Sequence, residues 1–307
     1  MAAVGWSDEL AYVKIPTRNR VPESVAPENH SLDSCAARRR HGVCWYLTLA
    51  FLGAWLPWLG VYLARGSMDD PLTQLSTAAF VPALAACVVR RWVTREGFAS
   101  SGLRMHFRST WRYYVAAVTL PWGVLGVALA GSVVAGWPWS DAYTDSSSWF
   151  YLAAGPLICA VMAPIFWGEE YGWTAYLRDR LVPGRPVMTT FLTGAIWGVW
   201  HWPLPWVGYF GGSTSVWEAL WAMLLWLPLS VLLEFLIGWL WSSTESVWPG
   251  AMLHAGSNLV VAEGMGLFVG DVLSPITSSV LLCVGLTPFV VAIVCSGHLG
   301  RVAPPSS

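Results

Sequence analysis

The chain has 307 residues, of which 55% are hydrophobic and only 11% are charged, and its formal net charge is -1. A soluble domain carries roughly 25% charged residues, so this composition excludes an ordinary soluble protein and indicates an integral membrane protein. The near-neutral charge offers no basic face for nucleic acid, and no nucleic-acid partner is expected. The six cysteines form no CxxC pair, so the sequence predicts neither a disulfide framework nor a zinc ribbon.

The amino-terminal segment, residues 1–37, is polar and is interrupted by Pro16, Pro22 and Pro27. It lacks the short apolar core and cleavage site of a signal peptide, and we interpret it as a mostly disordered cytoplasmic tail. A transmembrane helical bundle is predicted over 38–298. A second short cytoplasmic tail is predicted over 299–307.

Apolar runs long enough to cross a bilayer begin after the three arginines at 38–40. A spanning helix needs about 20 apolar residues, because the bilayer core holds no water to satisfy exposed backbone groups. The sequence therefore predicts an all-α, polytopic fold with about eight transmembrane helices. Their predicted ranges are 43–64, 71–89, 113–136, 149–177, 187–207, 217–241, 247–268 and 273–296. The stretch 92–112 is too polar to span and is predicted to lie along the inner surface as a basic, partly amphipathic segment.

The arginines predict the orientation of the bundle, since basic residues in short loops stay cytoplasmic. An inside amino terminus leaves only Arg65 in the predicted outer loops, and an even number of spans then places both termini in the cytoplasm. The predicted inner segments hold Arg38, Arg39, Arg40, Arg90, Arg91, Arg95, Arg104, Arg108, Arg112, Arg178, Arg180, Arg185 and Arg301.

Ionisable and amide side chains occur inside three of the predicted spans. Glu169 and Glu170 lie in the fourth span, His201 in the fifth, and His254 and Asn258 one helical turn apart in the seventh. An ionisable residue within a span is energetically costly, so each needs a partner or a function. Counted at ~1.5 Å per residue from the adjacent turns, the three sites lie within about two helical turns of the same depth. The sequence thus predicts one convergent polar site.

Glu234 in the sixth predicted span lies about as deep as His254, measured from the turn near Thr244. Two interpretations stay open for it. It could buffer His254, or it could have a structural role paired to tryptophan or backbone donors.

These residue types are suited to activating water for hydrolysis. Two adjacent carboxylates in a low-dielectric site cannot both ionise cheaply, so one of Glu169 and Glu170 is expected to accept a proton from water as a general base. His201 could hold the same water, and His254 and Asn258 are donors for the oxyanion formed when water attacks an amide.

A zinc mechanism remains open from the sequence, because Zn²⁺ accepts the same residue types. Its ligands would be Glu169, His201 and His254, with water in the open position. No HExxH helix occurs, so the usual geometry of soluble metalloproteases is absent. No GxSxG motif occurs either, which makes a serine mechanism a poorer explanation.

The motifs EEYGW at 169–173, WGVWHWP at 197–203 and HAGSN at 254–258 resemble the three signatures of the CPBP intramembrane metalloproteases. That family includes the CAAX prenyl endopeptidase and abortive-infection-type proteins, and the resemblance covers about 150–270. It implies that Glu169 activates water with Glu170 in support, and that His201 holds that water. It also implies that His254 and Asn258 bind the oxyanion. The family is named for a metal, and a metal-independent glutamate mechanism has also been argued for it.

One position departs from the family's first motif. Thr174 stands where the family usually has arginine, four residues after the second glutamate, and Ala175 stands where glycine is common. Arg178, one turn further along, could supply the missing cation.

The sequence predicts an intramembrane endopeptidase that cleaves a peptide or protein substrate near the cytoplasmic face, in a multi-pass protein of a bacterial plasma membrane. The alternative is a non-proteolytic membrane scaffold or regulator that keeps the fold and binds a partner protein. Thr174 is the feature that keeps this alternative open.

Overall fold

The structure, a computed structural model, describes residues 27–209, 215–270 and 273–300. Over these residues the fold is all-helical, with no β-strand. Eight helices carry the architecture, and three of them include short π-helical turns. In chain order they are α1 (Pro27–Leu63), α2 (Pro71–Val93), α3 (Phe107–Val134), α4 (Ser146–Leu181), α5 (Pro186–Trp200), α6 (Val216–Thr244), α7 (Val247–Val269) and α8 (Pro275–Cys295).

The chain divides into two units, Met1–Ala37 and Arg38–Ser307. The described part of the first unit is the start of α1, which begins at Pro27, inside the segment predicted as a tail. The second unit contains all the remaining helices. Residues 1–26 and 301–307 of the two predicted tails lie outside the described residues.

Seven of the eight helices are long and apolar enough to cross a membrane, so helix length and hydropathy define a multi-pass membrane protein. The exception is the predicted fifth span, 187–207, and this prediction is wrong in its length. Its helix α5 has 15 residues, or about 22 Å at 1.5 Å per residue, which is shorter than the ~30 Å hydrocarbon core. The helix ends at Trp200, and a short 3-10 helix, Leu204–Val207, follows, with Pro203 directly before it and Pro205 in its first turn.

The short α5 is fixed to α1 through aromatic side chains. Trp200 at the end of α5 is completely buried and donates its indole N–H to the carbonyl oxygen of Ala50 at 3.0 Å. The ring of Trp58 lies 4.8 Å from that of Trp200, and the ring of Trp173 on α4 lies 5.7 Å from it. This aromatic core holds the end of α5 against α1 and α4 next to the residues of the predicted site.

One end of the bundle is closed by the loop 94–106, which lies inside the polar stretch 92–112; the ends of that stretch belong to α2 and α3. His106 donates from Nδ1 to the carbonyl oxygen of Thr244 at the α6–α7 turn, at 3.1 Å. Arg180, near the α4–α5 turn, forms a 2.7 Å ion pair with Glu96 of the loop. The loop and these two turns therefore lie at the same end of the molecule.

Two of the π-helical turns directly follow the motif residues. Trp173–Arg178 follows the glutamate pair on α4, and Ser257–Ala262 follows His254 on α7. Such turns add a residue to the helical turn and are frequent at functional sites.

Candidate active site

The glutamate pair lies where α4 packs most closely against its neighbours. Gly168 and Gly172 flank the pair, and a methyl group added at either glycine would collide with α2. At Gly168 the obstacle is the carbonyl oxygen of Ala79, and at Gly172 it is Pro82. The small residues therefore bring the α4 backbone against α2, with the carboxyl groups of the pair facing α5 and α7.

Glu170 is bound to α7 and to its own helix. Its Oε1 accepts a hydrogen bond from Nδ1 of His254 at 2.9 Å, and its Oε2 accepts one from the Thr174 hydroxyl at 2.8 Å. An ionised carboxylate can only accept a hydrogen bond, so Nδ1 of His254 is the donor and carries the hydrogen. Both carboxylate oxygens of Glu170 thus have a donor, and the imidazole is held in one orientation.

Glu169 faces α5 instead. Its Oε2 accepts the indole N–H of Trp197 at 2.8 Å and lies 4.0 Å from Nε2 of His201. Nδ1 of His201 donates to the carbonyl oxygen of Trp197 at 2.9 Å, so in the neutral ring the lone pair is on Nε2 and faces the Glu169 carboxylate. The adjacent glutamates therefore serve two different imidazoles.

Aromatic rings surround both imidazoles. His201 stacks on Trp226 of α6 at 4.8 Å and 14°. His254 lies 4.8 Å from the ring of Phe166 and 5.1 Å from that of Trp197. These rings lower the local dielectric, which strengthens each hydrogen bond of the site and makes any unpaired charge there costly.

The two halves of the site differ in exposure. The side chains of Glu169 and His201 are 14% and 10% exposed, whereas those of Glu170 and His254 are 2% and 5% exposed. The first pair is therefore the more exposed half of the site.

The geometry between Glu169 and His201 fits a water molecule better than a zinc ion. Zinc at about 2.0–2.2 Å from atoms 4.0 Å apart would need an N–Zn–O angle of about 150°, far from tetrahedral. A water about 2.8 Å from both atoms would make an angle of about 90°, which hydrogen bonds tolerate. His254 presents Nδ1 to Glu170, and the described residues contain no group of three or more metal-ligating side chains.

Two residues named from the sequence lie apart from these contacts. Asn258 is half-buried in the π-helical turn after His254, and its amide has no hydrogen-bond partner among the residues that the structure describes. Arg178 is buried, with bonds to Thr190 at 3.1 Å and Ser242 at 3.1 Å and an ion pair with Asp179 at 3.5 Å. Within the described chain it contacts neither Glu169 nor Glu170, so it does not replace the missing arginine there.

Sequence reasoning did not assign hydrogen-bonding roles to Trp197 and Thr174. A usable signal was present for both, since Trp197 precedes His201 by four residues and Thr174 follows Glu170 by four, and residues at that spacing share a helix face. Glu234 is fully buried on α6, and its Oε2 lies 3.5 Å from the Thr174 hydroxyl. Glu234 therefore contacts the site through the Thr174 hydroxyl, and the sequence did not predict this contact.

The fold and this site together define a multi-pass membrane protein with a buried carboxylate–imidazole centre shared by three helices. Residues 148–260 match the family model described as type II CAAX prenyl endopeptidase Rce1-like. The matched range extends from α4 to the π-helical turn of α7 and contains all three motifs. The resemblance inferred from the motifs is thereby confirmed. None of the curated proteins matches the chain.

Proposed function

We propose that this protein is an intramembrane endopeptidase that uses Glu169 and His201 to activate a water molecule against a peptide bond. The Rce1-like domain implies a peptidase acting on peptide substrates. The observation that carries the mechanism is the 4.0 Å separation of Glu169 Oε2 and His201 Nε2, in the more exposed half of the site.

A water between these two atoms would donate one hydrogen to each of them. Its lone pairs would then point away from both acceptors, toward a substrate carbonyl carbon. On attack Glu169 takes the proton and returns it to the amine nitrogen as the C–N bond of the tetrahedral intermediate breaks. A general acid and base of this kind contributes about 10²–10⁴-fold to a rate. The Trp197 N–H fixes the carboxylate in place and leaves it able to accept that proton.

His254 would bind the oxyanion that forms when water adds to the carbonyl. Its Nδ1 hydrogen is committed to Glu170, so donation to the oxyanion falls to Nε2 of the doubly protonated ring. The negative charge of Glu170 offsets the positive charge of that ring, as the carboxylate does in a catalytic triad. Asn258, one turn further along α7, is proposed as the second donor.

The site is proposed to open near the cytoplasmic face of a bacterial plasma membrane. The support is the location of the basic residues. The loop 94–106 and the α4–α5 turn, which lie at one end of the bundle, hold Arg95, Arg104 and Arg185. On the positive-inside rule we propose that this end of the bundle faces the cytoplasm.

The experiment is hydrolysis of a membrane-tethered fluorogenic peptide by the purified protein in liposomes, with and without a carboxyl-terminal isoprenyl group. Wild type should cleave at least one of the two peptides, and Glu169→Ala and His254→Ala should abolish cleavage. Glu263→Gln, on an exposed position of α7, is the matched control and should retain the wild-type rate. If wild type and both alanine variants behave alike, the enzyme proposal fails, and the scaffold that binds a partner protein becomes the better account.

A further inference from the structure

Glu234 is a buried acid on α6 that forms no ion pair with the described residues. Its side chain is completely buried, and Oε1 has no hydrogen-bond partner among the described residues. Arg178 is the nearest candidate cation, since it packs against Gly238 one turn later. Its hydrogen bonds, however, go to Thr190, Ser242 and Asp179.

An ionised carboxylate in that position would be expensive. Taking an isolated carboxylate out of water costs several kcal/mol even after relaxation, and no cation at hydrogen-bond distance offsets this for Glu234. A carboxylic acid that keeps its proton avoids the cost and gains one O–H donor. Burial and the surrounding contacts therefore favour a neutral side chain.

When Glu170 is ionised, the hydrogens around Thr174 fit one arrangement. Its hydroxyl has a single hydrogen, which goes to Glu170 Oε2 at 2.8 Å, the shorter of its two carboxyl contacts. Toward Glu234 Oε2, at 3.5 Å, the hydroxyl oxygen can then only accept. A neutral Glu234 supplies the hydrogen for that second contact, whereas an ionised one would leave two acceptors facing each other.

We propose that Glu234 is a positioning residue of this site, a neutral acid that donates to Thr174 and so holds the threonine hydrogen on Glu170. The chain of donors runs from Glu234 through Thr174 to Glu170, and Glu170 in turn fixes the ring of His254. Thr174, the residue that contacts Glu170 in this chain of donors, stands at the position where the resemblance implies an arginine. The effect on turnover rests on the proposed function, whereas the protonation of Glu234 does not.

The protonation is tested by infrared difference spectroscopy of the purified protein. Glu234→Gln should remove the carbonyl band of a protonated carboxylic acid, and Glu263→Gln, which changes an exposed glutamate, should leave that band intact. A Glu234→Gln spectrum that instead loses only carboxylate bands would overturn the proposal. This readout needs no substrate, so it decides the state of Glu234 even if no peptide is cleaved and the proposed function fails.

The positioning role is tested by kinetics on the same variants. Glu234→Gln keeps a donor to Thr174 and should stay within about threefold of the wild-type kcat, whereas Glu234→Met should lower kcat about tenfold with KM nearly unchanged. Thr174→Val should match Glu234→Met, and the double variant should lose no more than either alone. Thr193→Val is the control, because that buried hydroxyl bonds only its own helix, at the carbonyl oxygen of Thr189. Equal losses for Gln and Met, or additive losses in the double variant, would contradict the proposal.

Discussion

Nδ1 of His254 lies 2.9 Å from Oε1 of Glu170, a residue 84 positions earlier in the chain. This contact joins α7 to α4 in the least exposed part of the site. Glu170 therefore binds the imidazole of α7, whereas Glu169 faces the imidazole of α5. Two neighbouring residues with similar chemistry thus have separate roles because successive side chains on a helix point in different directions.

The first prediction concerns that contact. Glu170→Gln keeps the shape and one acceptor oxygen but removes the negative charge beside His254. We expect kcat to fall about 10²–10⁴-fold, as when the carboxylate of a catalytic triad becomes an amide. The measurement is peptide cleavage in liposomes, with circular dichroism to show that the helices are intact. Unchanged turnover would mean that Glu170 does not orient His254.

The second prediction concerns the donor to Glu169. Trp197→Phe removes the indole N–H and keeps an aromatic ring next to His254. A hydrogen bond to a charged group contributes about 1.5–3 kcal/mol, so a loss of roughly 10–100-fold in kcat is expected. Trp206→Phe, whose indole bonds Met223 away from the glutamates, is the matched control and should retain activity. Equal effects of the two substitutions would remove Trp197 from the mechanism.

The third prediction concerns packing of α4. Gly168→Ala places a methyl group against the carbonyl oxygen of Ala79, and a backbone atom cannot rotate away. We expect about 1–3 kcal/mol of destabilisation or more, seen as a lower Tm. Gly266→Ala on α7 meets no atom within 4 Å and should leave the Tm nearly unchanged. A Gly168→Ala protein as stable as that control would show that α4 and α2 are not so closely packed.

The fourth prediction concerns metal. Because Glu169 and His201 fit water better than a tetrahedral zinc ion, extended treatment with a strong chelator should leave the cleavage rate within about twofold of its starting value. Metal content is measured on the same samples. Loss of activity that is restored by added Zn²⁺ would contradict this prediction and favour the zinc mechanism.

The fifth prediction concerns orientation. Ala99→Cys in the loop 94–106 and Ala135→Cys at the end of α3 occupy exposed positions in loops predicted to lie on opposite sides. In sealed, inside-out vesicles a membrane-impermeant maleimide should label the first and spare the second, once Cys35, Cys44 and Cys295 are replaced by serine. The reverse labelling would invert the proposed topology.

Several helix ends were predictable from hydropathy. The carboxyl ends of α1 and α7 were predicted to within one residue, because composition alone signals where apolar sequence ends. The prediction of the fifth span was wrong because hydropathy alone was used to extend it to residue 207. Its apolar sequence continues through Trp202 and Leu204, but the helix stops at Trp200, and hydropathy does not distinguish a helix from an apolar turn packed in protein.

The sequence by itself determined the class of molecule, the helical architecture and the residue types of the site, since hydropathy and motif spacing are local properties. Only the tertiary structure decided which glutamate faces which histidine, that Thr174 donates to Glu170, and that Arg178 turns to Thr190 and Ser242. Those pairings depend on the rotation of each helix about its axis. That rotation is set by interhelical packing, such as the close approach of α4 to α2 at Gly168, which is a property of two segments together.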